Sequence, residues 1–161
     1  MRRSTREHFQ RFYDERQTAS GAVHIAHLDM RLIEDGTYFV HEAEDEIVAC
    51  GGWSRRAKLY TGSGRGEDDD RLLDPATEAA RVRAMFVRAD WARRGLGRAI
   101  LGACERAARA EGFRDLVLVA TLPGEQLYRA VGFRERERLQ VTMPDGVSVE
   151  GVLMERAISA G

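Results

Sequence analysis

The sequence predicts a mixed α/β (α+β) fold, a mostly antiparallel central sheet flanked by helices. Three observations predict it. An acidic run over 42–46 separates two apolar stretches and reads as a hairpin turn. Near the end of the chain, Pro144-Asp145-Gly146 marks a second turn, because proline pre-sets φ and Asp and Gly tolerate the bend. Between these hairpins, apolar strand-like runs alternate with segments of helical period. The 161 residues read as one domain over 1–161, long enough for one sizeable core and without repeat or linker.

Composition narrows the function classes. Hydrophobic residues make up 43% and charged residues 32%, ordinary for a globular protein. A formal net charge of −1 offers no global field for nucleic acid or an acidic membrane, so a polyanion needs a local patch. No apolar run approaches the ~18 residues of a membrane span. No apolar core of a signal peptide is seen at the N-terminus. Cys50 and Cys104 lie in apolar-patterned segments and read as buried thiols of a cytoplasmic protein.

Taken in order, residues 5–16 form an amphipathic helical pattern whose Phe9, Phe12 and Tyr13 stripe reads as a packing face. Residues 22–34 give a second helical pattern, closing at Asp35-Gly36. His24 and His27 can share a face there, with Asp29 nearby; surface histidines compete with a metal site that would need further ligands. Residues 37–40 and 47–53 read as hairpin strands. Glycines inside a strand often mark a bulge or a close approach, so Gly51-Gly52-Trp53 points at a cleft or at simple packing. Residues 61–74, rich in glycine and then acidic, read as a mobile surface loop or lid.

The most informative stretch runs from Val82 to Glu111. An apolar strand ending at Val87 is followed by Arg93-Arg94-Gly95-Leu96-Gly97-Arg98 and a helix with Leu96, Ile100, Ala103, Cys104 and Ala107 on one face. Glu105 and Arg109 stand in the favourable order for a helical ion pair, and Gly112 suits a left-handed C′ position. A helix start leaves about four N–H groups unpaired and carries partial positive charge. Gly95 and Gly97 expose that backbone, and three arginines add full charges. The turn reads as a phosphate or pyrophosphate site, or as a solvated basic rim. It is neither a P-loop, since the only lysine is Lys58, nor a dinucleotide fingerprint, since Ile100 stands where a third glycine is needed. Residues 116–120 then form an apolar strand covered on both faces. Residues 123–131 form a short helix opened by Pro123 and ended by Gly132, and the closing hairpin follows.

Ala92-Arg93-Arg94-Gly95-Leu96-Gly97 resembles motif A of the GNAT superfamily of acyl-CoA-dependent N-acetyltransferases, (Gln/Arg)-x-x-Gly-x-(Gly/Ala). Ala92 stands at its first position, where Arg93 and Arg94 can replace the missing contact. Leu127-Tyr128-Arg129-Ala130-Val131-Gly132-Phe133 resembles motif B, Leu-Tyr-x-x-x-Gly-Phe, and the two together are more specific than either alone. The resemblance covers roughly residues 36–158, and the strand with which members usually begin is not found here. It implies that the strands ending at Val87 and Ala120 splay at their C-terminal ends. The pantetheine arm of acetyl-CoA then pairs with backbone around Phe86 and Val87, its pyrophosphate rests on the turn 93–98, and Thr121 contacts pantetheine. It also implies that Tyr128 protonates the departing thiolate, although Tyr128 packed on Phe133 is the plainer alternative.

Acetyl transfer to an amine needs a neutral nucleophile, yet an alkylammonium has a pKa of ~10. The sequence offers His41, Glu42, Glu78 or bulk water as the base. Trp53 and His41 are expected on the acceptor side of the cleft. No Ser-His-Asp or Cys-His arrangement is apparent, so direct transfer from acetyl-CoA to a small-molecule or peptide amine is expected, without metal. A non-catalytic acyl-CoA-binding module is the alternative, and a phosphate-binding structural domain is a third reading. The resemblance is compatible with a homodimer.

Overall fold

The structure is a computed structural model that describes residues 1–60 and 69–160. Three helices come first: α1 (Arg2–Phe9), α2 (Glu15–His24) and α3 (Met30–Glu34). The chain continues as β1 (Tyr38–Ala43), β2 (Glu46–Ser54), β3 (Ala80–Val87), α4 (Leu96–Ala110), β4 (Asp115–Thr121), α5 (Leu122–Ala130), β5 (Arg134–Thr142) and β6 (Ser148–Ala157). One six-stranded sheet has the order β1-β2-β3-β4-β6-β5, and only β3 and β4 pair in parallel. The mixed, mostly antiparallel sheet expected from the sequence is the one observed.

The N-terminal helices are cut differently from the expectation. Asp14 accepts from the N–H of Gln17 at 2.8 Å while its own N–H donates to the Gln17 side chain at 3.0 Å. This capping box starts a new helix at Glu15 and ends the pattern over 5–16. Phe9 and Tyr13 are buried as expected, whereas Phe12 is 53% exposed. The segment 22–34 is also broken, because Asp29 caps α3 through the N–H of Leu32. His24 lies 3.5 Å from the carboxylate of Asp145.

The first hairpin turns on Glu44 and Asp45, both at positive φ (53° and 60°). Two such central residues match the right-handed twist of the flanking strands. Of the expected loop over 61–74, residues 61–68 lie outside the described residues. Its remainder is tied down: Ala57 N–H donates to Arg71 O at 2.9 Å, Leu73 N–H donates to Arg55 O at 2.7 Å, and Leu73 is buried. Helix α4 lays Leu96, Ile100, Leu101, Cys104 and Ala108 on the sheet, where they join Val48, Trp53, Val82, Leu116, Leu118 and Val152 in the main core. The expected Glu105–Arg109 pair does not form. Glu105 instead accepts from Arg156 of β6 and from the N–H of Ser159, ion-pairing the helix to the last strand. A second cluster of Phe9, Tyr13, Val141, Met143 and Val149 seats the N-terminal helices against the closing hairpin. The Tyr13 hydroxyl locks this seat, donating to Glu150 O at 2.7 Å and accepting from Leu122 N–H at 2.8 Å.

Candidate active site in the sheet splay

Strands β3 and β4 pair only through Ala80 with Leu116 and Arg81 with Val117. Beyond these residues they diverge, and a cavity of about 690 Å³ opens between them. A bulge re-aims β3. Cys50 pairs with Phe86 and Gly52 with Arg83, so two residues of β3 face the single Gly51, and Ala84 stands at φ 55°. Arg88 N–H donates to Val48 O at 2.9 Å, and alternation along an antiparallel pair then turns the N–H and C=O of Val87 away from β2. Toward the splay, the Val87 carbonyl meets Nε2 of His8 on α1 at 3.3 Å. A carbonyl can only accept, so Nε2 carries the proton.

At the mouth of the splay, the chain makes one 3-10 turn over Ala89–Trp91 and enters α4 through Arg93 (φ 62°) and Gly95 (φ 80°). The left-handed Gly95 is the N-cap, and no side chain caps the helix, so its first N–H groups have no side-chain partner there. Arg93, Gly95, Leu96, Gly97 and Arg98 line the cavity beside these amides. Arg94 does not line it; its guanidinium stands 4.4 Å from the Trp91 ring centre. Arg88 is held by Asp90 and Glu46.

From the other wall, Thr121 at the N-cap of α5 and Tyr128 two turns on along the same face line the same cavity. Gly124 lies between them: a Cβ there would be 3.2 Å from Tyr128 Cε2 and 3.5 Å from Thr121 Oγ1. The Tyr128 ring packs edge-on to Phe133 at 5.8 Å. Burial raises its pKa well above the ordinary phenol value, so the hydroxyl stays protonated.

Phe86, Val87, Arg93, Gly95, Leu96, Gly97, Arg98, Thr121 and Tyr128 are thus brought to one cavity. The placement of Trp53 and His41 corrects the expectation that they face it. Trp53 is 1% exposed, edge-on to Phe113 at 5.7 Å in the main core, because its strand face looks toward α4. His41 and Glu42 are exposed on the edge strand β1. Glu78 is bound by Arg71 at 2.9 Å and by the N–H of Asp74 at 2.8 Å, which pull its pKa down to about 2, too low for a base. The Gly51-Gly52 pair serves packing: a Cβ on Gly51 would meet Met85 Sδ and Ile100 Cγ2, each at 2.8 Å, and one on Gly52 would meet Thr37 O at 2.6 Å.

The sequence predicts a helix over 5–16 with Phe9 on a packing face, but does not place Ser4, Thr5, His8 and Phe9 of α1 or Glu150 of β6 at the cavity they line. The available signal was the recurrence of Ser4, Thr5, His8 and Phe9 on one helical face. Among the described residues no group of three or more His, Cys, Asp or Glu is gathered as for a metal, and no helix is long and apolar enough to cross a membrane.

Residues 34–135 match a family model described as an acetyltransferase (GNAT) domain. No match was found among curated proteins. Among solved structures, a GCN5-related N-acetyltransferase of Rhodopseudomonas palustris superposes with a TM-score of 0.70 at 16% identity, over 96% of this chain and 82% of that one. The ribosomal-protein-alanine N-acetyltransferase of Brucella melitensis gives a TM-score of 0.56 at 19% identity, over 80% and 73%. The yncA protein of Salmonella typhimurium, solved with its cofactor acetyl-CoA, gives 0.57 at 16% identity, over 82% and 70%. At these identities the likeness is one of fold.

Proposed function

The chain belongs to the GNAT acetyltransferase family, and from that premise we propose that it moves an acetyl group from acetyl-CoA to a primary amine of a small molecule or peptide, by direct attack in a ternary complex and as a single domain. The observation that carries this reading is the continuous cavity from the Gly95 turn, past the outward-facing backbone of Val87, to Tyr128. The residues present suit the donor. Open N–H groups at the start of α4, with Arg93 and Arg98, are suited to a pyrophosphate. The Val87 N–H, turned away from β2, is suited to an amide carbonyl of a pantetheine arm lying along the strand, and Thr121 offers the arm a hydroxyl. Acetyl-CoA, when bound, supplies the thioester carbonyl and a thiolate leaving group.

Two protons then need carriers. The amine nitrogen forms a bond to the acetyl carbon, the carbon–sulfur bond breaks, and sulfur leaves with the electron pair. Tyr128 gives its phenolic proton to that sulfur and recovers one from solvent. His8 takes the proton lost by the amine. Its Nε2–H is committed to the Val87 carbonyl, which leaves Nδ1 as the acceptor. The reaction is assigned to the cytoplasm, with neither nucleic acid nor membrane as partner. The test is acetyl-CoA with a panel of primary amines, read by free thiol and by the mass of the amine. Amine-dependent thiol release with a matching acetylated product is the expected result. Binding of acetyl-CoA without release over the whole panel would instead identify a non-catalytic acyl-CoA-binding module.

A further inference from the structure

Arg83 is a buried cation of the cavity that neither the donor site nor the proton carriers use. Arg83 lies in β3 just before the bulge at Ala84, while the arginines of the turn follow the strand's other end. Ala84, Met85 and Phe86, the bulge among them, separate it from Val87. Its neighbour Val82 packs in the main core, so by alternation Arg83 takes the opposite face of the sheet, and it lines the cavity. Its side chain is only 1% exposed.

Its donors are incompletely used. A guanidinium has five N–H groups in a fixed fork. Nη1 donates to Lys58 O at 2.9 Å. Nε lies 3.2 Å from the Asp29 carboxylate, close enough for an ion pair but without hydrogen-bond alignment. Nη2 is buried with no hydrogen-bond partner among the described residues. Burial lowers the pKa of this guanidinium and Asp29 opposes the shift, so the carboxylate helps keep it charged. A second orphan lines the same cavity from α1: the Thr5 hydroxyl, likewise buried and without a partner. Native interiors rarely leave such groups unpaired without a reason. Carboxylate oxygens accept from both a guanidinium fork and a hydroxyl, and the planar carboxylate matches the fork.

We infer that the acceptor amine also carries a carboxylate, as a free amino acid or a short peptide with free termini does, and that Arg83 with Thr5 binds that carboxylate. The inference rests on the acetyltransferase reading for its meaning, but binding tests it separately from turnover.

The experiment is calorimetric titration of the CoA-saturated protein with matched pairs, free amino acids against their amides, followed by acetyl transfer to the same pairs. The free acids should bind at least about tenfold more tightly, the usual scale of a hydrogen bond to a charged group. Arg83→Gln should abolish that preference while CoA affinity stays within about twofold, and Arg83→Lys should keep part of it because the charge remains. If Arg83→Gln fails to fold, the wild-type preference and Arg83→Lys decide. Equal binding of acid and amide by the wild type, or a preference that survives in folded Arg83→Gln, overturns the inference whether or not acetyl transfer occurs. Carboxylate preference without any transfer would leave the binding site standing and sink the acetyltransferase reading instead.

Discussion

Gly97 and Leu127 touch: a Cβ built on Gly97 would lie 2.7 Å from Leu127 Cδ2. One belongs to the glycine turn and the other to the Leu-Tyr motif, so the two motifs that were legible as separate stretches are one packing contact at the cavity wall. Gly97 is buried as well as placed at the turn, which gives it two reasons to lack a side chain.

That contact sets the first prediction. Gly97→Val overpacks the α4–α5 junction and should cost about 1–3 kcal/mol, read as a lower melting temperature in addition to weaker CoA binding. Leu127→Ala in the same chain should return part of the lost stability. A Gly97→Val protein that melts like the wild type would show that Leu127 simply swings away.

The donor site is better tested at residues that pack on nothing in the core. Arg93 and Arg98 are exposed and line the mouth of the cavity. Arg93→Ala with Arg98→Ala should weaken CoA about tenfold or more by removing charge-assisted contacts, with the melting temperature unchanged and the loss shrinking as salt is raised. Calorimetry at two ionic strengths checks it. Unchanged CoA affinity would remove the pyrophosphate from this turn.

Much of the fold was readable because hairpin signals, periodicity and turn glycines are local. The strands and α4 fell close to their expected places for this reason. The N-terminal helices were less well placed because Asp14 and Asp29 act as N-caps, whereas Asp14 was not singled out and Asp29 was weighed only as a neighbour of His24 and His27. The glycine turn and the start of α4 are contiguous in sequence and were readable as one stretch. α1, β3 and β6 bring His8, Arg83 and Glu150 to the same cavity from distant parts of the chain, and no local pattern announces it. Trp53 was misplaced because an aromatic beside two glycines looks alike whether it faces a cleft or a core.

His8 gives the third prediction. His8→Ala should lower the amine-dependent rate by ~10²–10⁴, the range for a lost general base, leave CoA affinity nearly unchanged and respond to added imidazole. A wild-type rate in this variant would assign the amine proton to water.

The fourth concerns acid. Arg71 and the Asp74 N–H hold Glu78 down to about 2, and Arg56 holds Asp35 below the usual carboxylate range. Carboxylates with depressed folded pKa values contribute stability above their unfolded pKa of ~4 and lose it as pH falls through the folded value. The melting temperature should therefore fall between pH ~4.5 and ~2, and Glu78→Gln should reduce that fall. An identical acid profile in Glu78→Gln would show that Glu78 contributes nothing to it.

The most direct test of the whole account is single-turnover acetyl transfer by the wild type and Tyr128→Phe, with CoA affinity measured alongside. Tyr128→Phe keeps the ring that packs on Phe133 and removes only the proton donor. Because burial holds the phenol protonated, the wild-type rate should show no decline from Tyr128 ionisation near pH 10. Tyr128→Phe should bind CoA normally and transfer acetyl ~10²–10⁴ times more slowly. A Tyr128→Phe enzyme as fast as the wild type across the pH range would contradict the assigned chemistry, and a wild type that holds acetyl-CoA but never acetylates an amine would contradict the function itself.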